Sequence, residues 1–173
     1  MSEYTEHFIT TFLGGKFHYL NPLPEEIDIV TIAHALSLTC RFGGHVREFY
    51  SVAQHSIHVA ELVPPELKLS ALLHDAHEAY LHDVPRPIKQ DMKGYKEIAD
   101  NIQRAIDKKF NLVTSPEIRR ADNIMLITEA RDLLVNTDGW AGLGVEPIKD
   151  TIYPWTPSDA EMSFMGYFKL FTG

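Results

Sequence analysis

Cysteine is nearly absent from this chain, and long apolar runs are absent altogether. Its 173 residues hold one cysteine, Cys40, so no disulfide can close within the chain and a reducing, cytoplasmic compartment is expected. No apolar stretch approaches the roughly 20 residues of a membrane-spanning helix, so no membrane partner is expected. The first residues, Met1-Ser2-Glu3-Tyr4-Thr5-Glu6-His7, show no basic segment followed by an apolar one, and no secretory signal is read there. Positive charge is also scarce. Sixteen Lys and Arg against 24 Asp and Glu give a net charge of −8. Such a chain lacks the basic surface that displaces counterions from polymeric nucleic acid, although local basic residues or a metal can still hold the phosphate of a small nucleotide.

What remains is an ordinary globular composition, 45% apolar and 23% charged, in a length that suits one domain over residues 1–173. No repeat or low-complexity tract divides it. The first 28 residues read as an irregular lead-in, with a short hairpin at Gly14-Gly15. Asp28 caps a helix over 29–38, with Ile29, Ile32, Ala33 and Leu36 on one face. His34 lies off that face, either bonding a loop or facing a substrate. Ser51 caps a second helix over 52–62, in which Val52, His55, Val59 and Leu62 share a stripe. Pro65 opens a third over 65–80. An amphipathic segment follows over 94–110, then a helix capped by Ser115 with Pro116 at its first position, running to about 135. Asp122 sits beside that helix's buried stripe, and Glu129 lies near the same face. The glycine loop over 138–144 lacks the strand before it and the Lys-Ser/Thr ending of a phosphate-binding fingerprint. A last helix over 158–170 offers Met162, Met165, Phe168 and Leu170 to the core. The pattern predicts an all-α fold, a single helical bundle.

One stretch dominates the chemistry. Residues 72–85 hold His74, Asp75, His77, Glu78, His82 and Asp83 in a segment that starts as an apolar helix and ends at Pro85. Burying a polar group unpaired costs on the order of 2–7 kcal/mol, so so many ionisable groups need compensation. A divalent metal with an anionic substrate would supply it. Imidazole beside carboxylate suits a first-row transition metal. Three packed helices could bring His55, His74, Asp75 and Asp122 to one point. Two imidazoles and two carboxylates leave two positions of an octahedral shell for water and a phosphate oxygen. Taken singly, each residue has a plainer explanation: a lone His55 in an apolar stripe is usually a satisfied core histidine, and Arg41 and Phe42 in a glycine loop are compatible with a solvated surface.

The ordered set His55, His74-Asp75, Asp122 resembles the H…HD…D motif of the HD-domain phosphohydrolases. Residues 74–78, His-Asp-Ala-His-Glu, followed by Asp83-Val84-Pro85-Arg86-Pro87-Ile88-Lys89, are similar to the bacterial 5′-deoxynucleotidase branch, which also carries an arginine and an aromatic upstream, matched by Arg41-Phe42. Small phage enzymes that hydrolyse dATP look similar in length; on that branch the compartment would be the host cytoplasm. The resemblance covers about 29–135. It implies that His55, His74, Asp75 and Asp122 hold one divalent transition metal (Mn, Co, Zn, Ni or Fe), with Mg as a further option on substrate phosphates. It implies that Glu78 transfers a proton, activating water or protonating the leaving oxygen, and that Asp83 contacts the sugar or the leaving 5′-oxygen. Arg41 and Lys89 would hold phosphate. Phe42 would pack on the sugar, in a place where relatives carry the larger Trp. His77 is a candidate beside the substrate, and His34 and His45 are further pocket candidates. The regulatory HD relatives share the core motif, but their extensions and extra domains are not seen here.

The expectation is therefore hydrolysis of the 5′-phosphate ester of a small deoxynucleotide. The alternatives are release of triphosphate from a deoxynucleoside triphosphate such as dATP, with Lys93, Lys96, Arg119 and Arg120 as spare basic residues, and a nucleotide sensor without turnover. Trp140 and Trp155, read as exposed, predict self-association into a homo-oligomer.

Overall fold

In the computed structural model, which describes residues 7–138, 140 and 144–173, the chain enters through the expected hairpin. Strand β1 (Ile9–Thr10) pairs antiparallel with β2 (Lys16–Phe17), Ile9 opposite Phe17. Gly14 turns the chain at φ +80°, a conformation that glycine adopts without strain. Phe17 is fully buried and stacks on Tyr80, ring centroids 3.7 Å apart, and so ties the hairpin to the helices.

Eight α-helices follow among the described residues, and the fold is all-α apart from the hairpin. Helix α1 (Ile29–Leu38) begins where Asp28 accepts from the backbone N–H groups of Val30 and Thr31. Helix α2 (Val52–Glu61) begins at Ser51, whose hydroxyl accepts from the Gln54 N–H. Both caps satisfy donors that a helix start leaves open. Eight of the ten residues of α2 are buried. A helix enclosed on all sides must find partners for any polar group it carries, and His55 lies on this one. Helices α6 (Tyr95–Phe110), α7 (Pro116–Leu133) and α8 (Pro157–Thr172) complete the body. Ile32, Leu36, Ile57, Leu72, Ile102, Ile106, Met125 and Phe164 form its core.

The helix expected over 65–80 is not continuous. It resolves into a 3-10 turn (Pro65–Leu67), α3 (Lys68–Leu72), a turn, and α4 (Glu78–Leu81). The Ala71 carbonyl, which an α-helix would give to the Asp75 N–H, accepts instead from His74 Nδ1 at 2.7 Å. Bonds three residues apart, such as Ala76 N–H to Leu73 O and Glu78 N–H to Asp75 O, carry the chain through the turn. His74 and Asp75 therefore stand on a tight turn, freed from the roughly 100° spacing of consecutive helical residues.

Other boundaries also differ. The segment read as a loop over 83–89 runs into α5 (Arg86–Asp91), which Pro85 precedes and whose first turn holds Pro87. Proline is tolerated at such positions because its missing N–H would have been unpaired. The last helix buries Ala160 and Phe164, whereas Met162 and Leu170 are 69% and 72% exposed. Trp140 and Trp155 are half-buried, not exposed, because Trp140 meets the Phe42 ring edge-on and Trp155 meets the His58 ring. Residues 139 and 141–143 of the glycine loop lie outside the described residues. Among the described residues no helix is long and apolar enough to cross a membrane.

Candidate metal centre

Three elements deliver the acidic and imidazole groups to one place: α2 brings His55, the turn after α3 brings His74 and Asp75, and α7 brings Asp122. His55 Nε2 lies 3.3 Å from Asp122 Oδ1 and 3.7 Å from Asp75 Oδ2. His74 Nε2 lies 3.3 Å from Asp75 Oδ2 and 3.9 Å from Asp122 Oδ1. One ligand atom from each of His55, His74 and Asp75 falls within 4.8 Å of the others. This cluster could hold a metal ion.

The hydrogen bonds around the imidazoles favour that use. His55 Nδ1 meets Glu129 Oε1 at 2.6 Å, and His74 Nδ1 meets the Ala71 carbonyl at 2.7 Å. An oxygen acceptor at Nδ1 holds the proton there and leaves Nε2 as the lone-pair nitrogen. Both Nε2 atoms are buried and make no hydrogen bond. Leaving a buried polar atom unmatched costs about 1–3 kcal/mol. Two such atoms facing two carboxylates make a donor set that a divalent cation fits.

The electrostatics point the same way. Burial opposes charge on His74, yet the Asp75 and Asp122 carboxylates outweigh it and hold the imidazole well above its ordinary pKa. On His55, burial and the Arg41 guanidinium oppose the imidazolium, and Glu129 with Asp122 reverses the balance upward. Asp122 is pushed down despite its own burial, by His55 and His74. The carboxylates thus favour positive charge in this space.

The centre opens on a cavity of about 840 Å³, whose lining includes Asp75, Asp122, Glu78, Asp83, Arg41, Phe42 and Lys89. Glu78, 2% exposed, accepts from Lys89 Nζ at 2.7 Å through Oε1, while Oε2 is buried without a partner. Burial and the neighbouring Asp75 and Asp83 carboxylates push its pKa up to about 8, against the pull of Lys89. Asp83 Oδ2 accepts from the Phe42 N–H at 3.1 Å. That bond holds Phe42 at φ 56°, a left-handed conformation that costs a non-glycine residue about 1–2 kcal/mol. A Cβ on Gly43 would stand 3.3 Å from Pro85 Cγ, so the glycine lets the loop over 41–44 close against the proline wall over 83–87.

Arg41, 7% exposed, donates to Glu129 Oε2 through Nε at 3.2 Å and Nη2 at 2.8 Å. Its Nη1 lies 3.9 Å from Asp75 and 4.0 Å from Asp83. It is thus a buried, fixed arginine and not a solvated one. Lys89, expected on phosphate, is engaged by Glu78. His77 is not in the cavity lining; its Nδ1 lies 3.1 Å from Gln103 Oε1, and one ligand atom from each of His77, Asp75 and Glu78 falls within 4.8 Å of the others. His45 does line it, whereas His34 is placed elsewhere, 3.1 Å from Glu161 and stacked on Phe12. His82 joins His34 in a smaller pocket beneath the hairpin. The residue that the sequence reading placed near Asp122 without giving it a role is Glu129. Its place on α7 seven residues after Asp122, two turns along the same face, was the available signal.

No family model matches the chain. Its relatives include the uncharacterized protein YfdR of Escherichia coli strain K12, 42% identical over 167 residues, which are 93% of this chain and 93% of YfdR. They also include an uncharacterized protein of Rhodobacter capsulatus, 38% identical over 120 residues, 62% of this chain and 61% of that protein. With such identity along nearly the whole of both chains, the protein belongs to the family of YfdR.

Proposed function

We propose that the protein is a metal-dependent phosphohydrolase of the HD-domain type, acting on the 5′-phosphate ester of a small deoxynucleotide in the cytoplasm. The observation that carries this reading is the pair of buried, unpartnered Nε2 atoms of His55 and His74 facing Asp75 and Asp122 at the wall of the cavity. His55, His74, Asp75 and Asp122 would hold the ion, with Mn, Co, Zn, Ni and Fe all compatible with that donor set. A bound divalent ion lowers the pKa of water and polarises a phosphoryl oxygen.

The chain's own groups supply the rest. Lys89 fixes Oε1 of Glu78 and leaves Oε2 without a partner, which suits a carboxyl that takes a proton from water or gives one to the leaving oxygen. Arg41 turns its Nη1 edge toward the phosphate side. Asp83 faces the sugar or the leaving oxygen, and the Phe42 ring covers the sugar from the opposite loop. The test is product analysis over a panel of deoxy- and ribonucleoside mono- and triphosphates with Mn²⁺, Co²⁺ or Zn²⁺ and a chelator control. Nucleoside plus orthophosphate from monophosphates supports the reading.

A second reading, release of triphosphate from a deoxynucleoside triphosphate such as dATP, is favoured by Arg86. It is exposed at the cavity lining and has no ion pair among the described residues, so it is free for an outer phosphate. Triphosphate as product would establish that reading. Binding without turnover would favour a sensor, for which a proton-transfer group such as Glu78 serves no purpose.

A further inference from the structure

Glu129 joins two groups that have so far been treated apart, His55 at the metal centre and Arg41 at the cavity wall. It is fully buried on α7; its two oxygens are divided between His55 and Arg41, and the buried Tyr50 hydroxyl stands close enough for burial and the Glu129 charge to push its pKa up. Oε1 accepts from His55 Nδ1 at 2.6 Å, and Oε2 accepts from Arg41 Nε and Nη2 at 3.2 and 2.8 Å. Both neighbours are donors. Only a carboxylate offers acceptors on both sides, since an amide would turn its NH₂ toward one of them. Burying a carboxylate this deep is expensive, and a well-packed apolar pair in place of Arg41 and Glu129 would often be as stable. A plain packing role therefore does not account for it.

We propose that Glu129 is a positioning residue that sets both halves of the centre at once: one carboxylate aims His55 Nε2 at Asp75 and Asp122 and holds the Arg41 Nη1 edge toward the cavity. This rests on the metal-centre reading. Without an acceptor at Nδ1, the His55 ring is free to rotate or to carry its proton on Nε2, which then cannot ligate. Removing Glu129 alone would also strand Arg41 as an unpaired buried charge, so the informative comparison is made with Arg41 already replaced.

The experiment measures Zn²⁺ affinity by competition with a chromophoric chelator for the wild type, R41M, R41M/E129Q and R41M/E129L. R41M supplies the reference affinity, since its Glu129 still accepts from His55 Nδ1. R41M/E129Q should follow it, because without the arginine the amide oxygen is free to accept from Nδ1. R41M/E129L should bind zinc about 10–100-fold more weakly, the range found when a ligating histidine loses its outer partner. Equal affinities for R41M and R41M/E129L would overturn the proposal alone. A wild type that binds no zinc would overturn the metal-centre reading, and the proposal with it. Should the variants fail to fold, ¹⁵N spectra of histidine-labelled, zinc-loaded wild type decide: a proton on His55 Nδ1 supports the proposal, and a proton on His55 Nε2 overturns it.

Discussion

His34 and His55 stand at similar points of two neighbouring helices, and their surroundings could hardly differ more. His34 on α1 is half-buried, bonds Glu161 through Nδ1 and stacks on Phe12 with ring centroids 3.6 Å apart. His55 on α2 is fully buried, bonds Glu129 through Nδ1, and leaves Nε2 unmatched before two carboxylates. The first is a satisfied surface pair. The second is one half of an unsatisfied donor set completed by His74. A buried unmatched nitrogen calls for an explanation, and the contrast separates His34 from the cluster of His55, His74 and Asp75 that could hold a metal ion.

The sharpest way to break the comparison is to remove a ligand. H74A or D75N should abolish stoichiometric metal content, read by elemental analysis, and bring phosphate release down to background. H34A should leave both intact. Next in size is E78Q, which should keep its metal and lose about 10²–10⁴-fold in turnover, the usual contribution of a positioned proton-transfer group. Full activity in that variant would remove Glu78 from the mechanism.

A smaller effect separates the two regions by pH. In the metal-free protein the raised pKa values of His55 and His74 contribute stability that is complete below 6.5, their ordinary value, and is lost as the pH rises through the folded values. Glu78, raised from 4.5 to about 8, loses its contribution over that interval, in the same direction. Asp122 and Glu129 are depressed from 3.8 and 4.5, so their contribution is present above those values and disappears as the pH falls through the lower folded ones. The metal-free fold should therefore weaken toward both acid and alkali, and the gain in melting temperature from added Zn²⁺ should grow as the pH rises above 6.5. Melting curves with and without zinc check this; a zinc gain that does not change with pH would contradict it. The smallest effect belongs to H34A, which gives up one partly exposed hydrogen bond and a stacked ring, about 1 kcal/mol of stability.

Much of the helical frame was legible along the chain. Asp28, Ser51 and Ser115 each cap the helix expected of them, because a cap is a local hydrogen bond between residues two or three apart. The four candidate ligands were legible as a set of chemically matched residues on separate elements. The break at His74 was not. It depends on the His74 ring taking the Ala71 carbonyl, a competition between side chain and backbone that apolar periodicity does not register. The helix over Arg86–Asp91 was hidden by its two prolines, which read as breakers although both fall where a helix start tolerates them. The commitments of Lys89 to Glu78 and of Arg41 to Glu129 were equally hidden, since a basic residue in sequence carries no record of its partner.

By itself, then, the sequence determined an all-α chain poor in cysteine and positive charge, its main helices, and a short list of residues able to bind metal and move a proton. These follow from short-range preferences and from residue chemistry. Only the tertiary structure decided which histidines leave a nitrogen unmatched, which carboxylate holds two donors at once, and which basic groups are already engaged. Those outcomes depend on contacts between residues as far apart as Arg41 and Glu129, 88 positions along the chain, and they are set by how the helices pack, not by any local pattern.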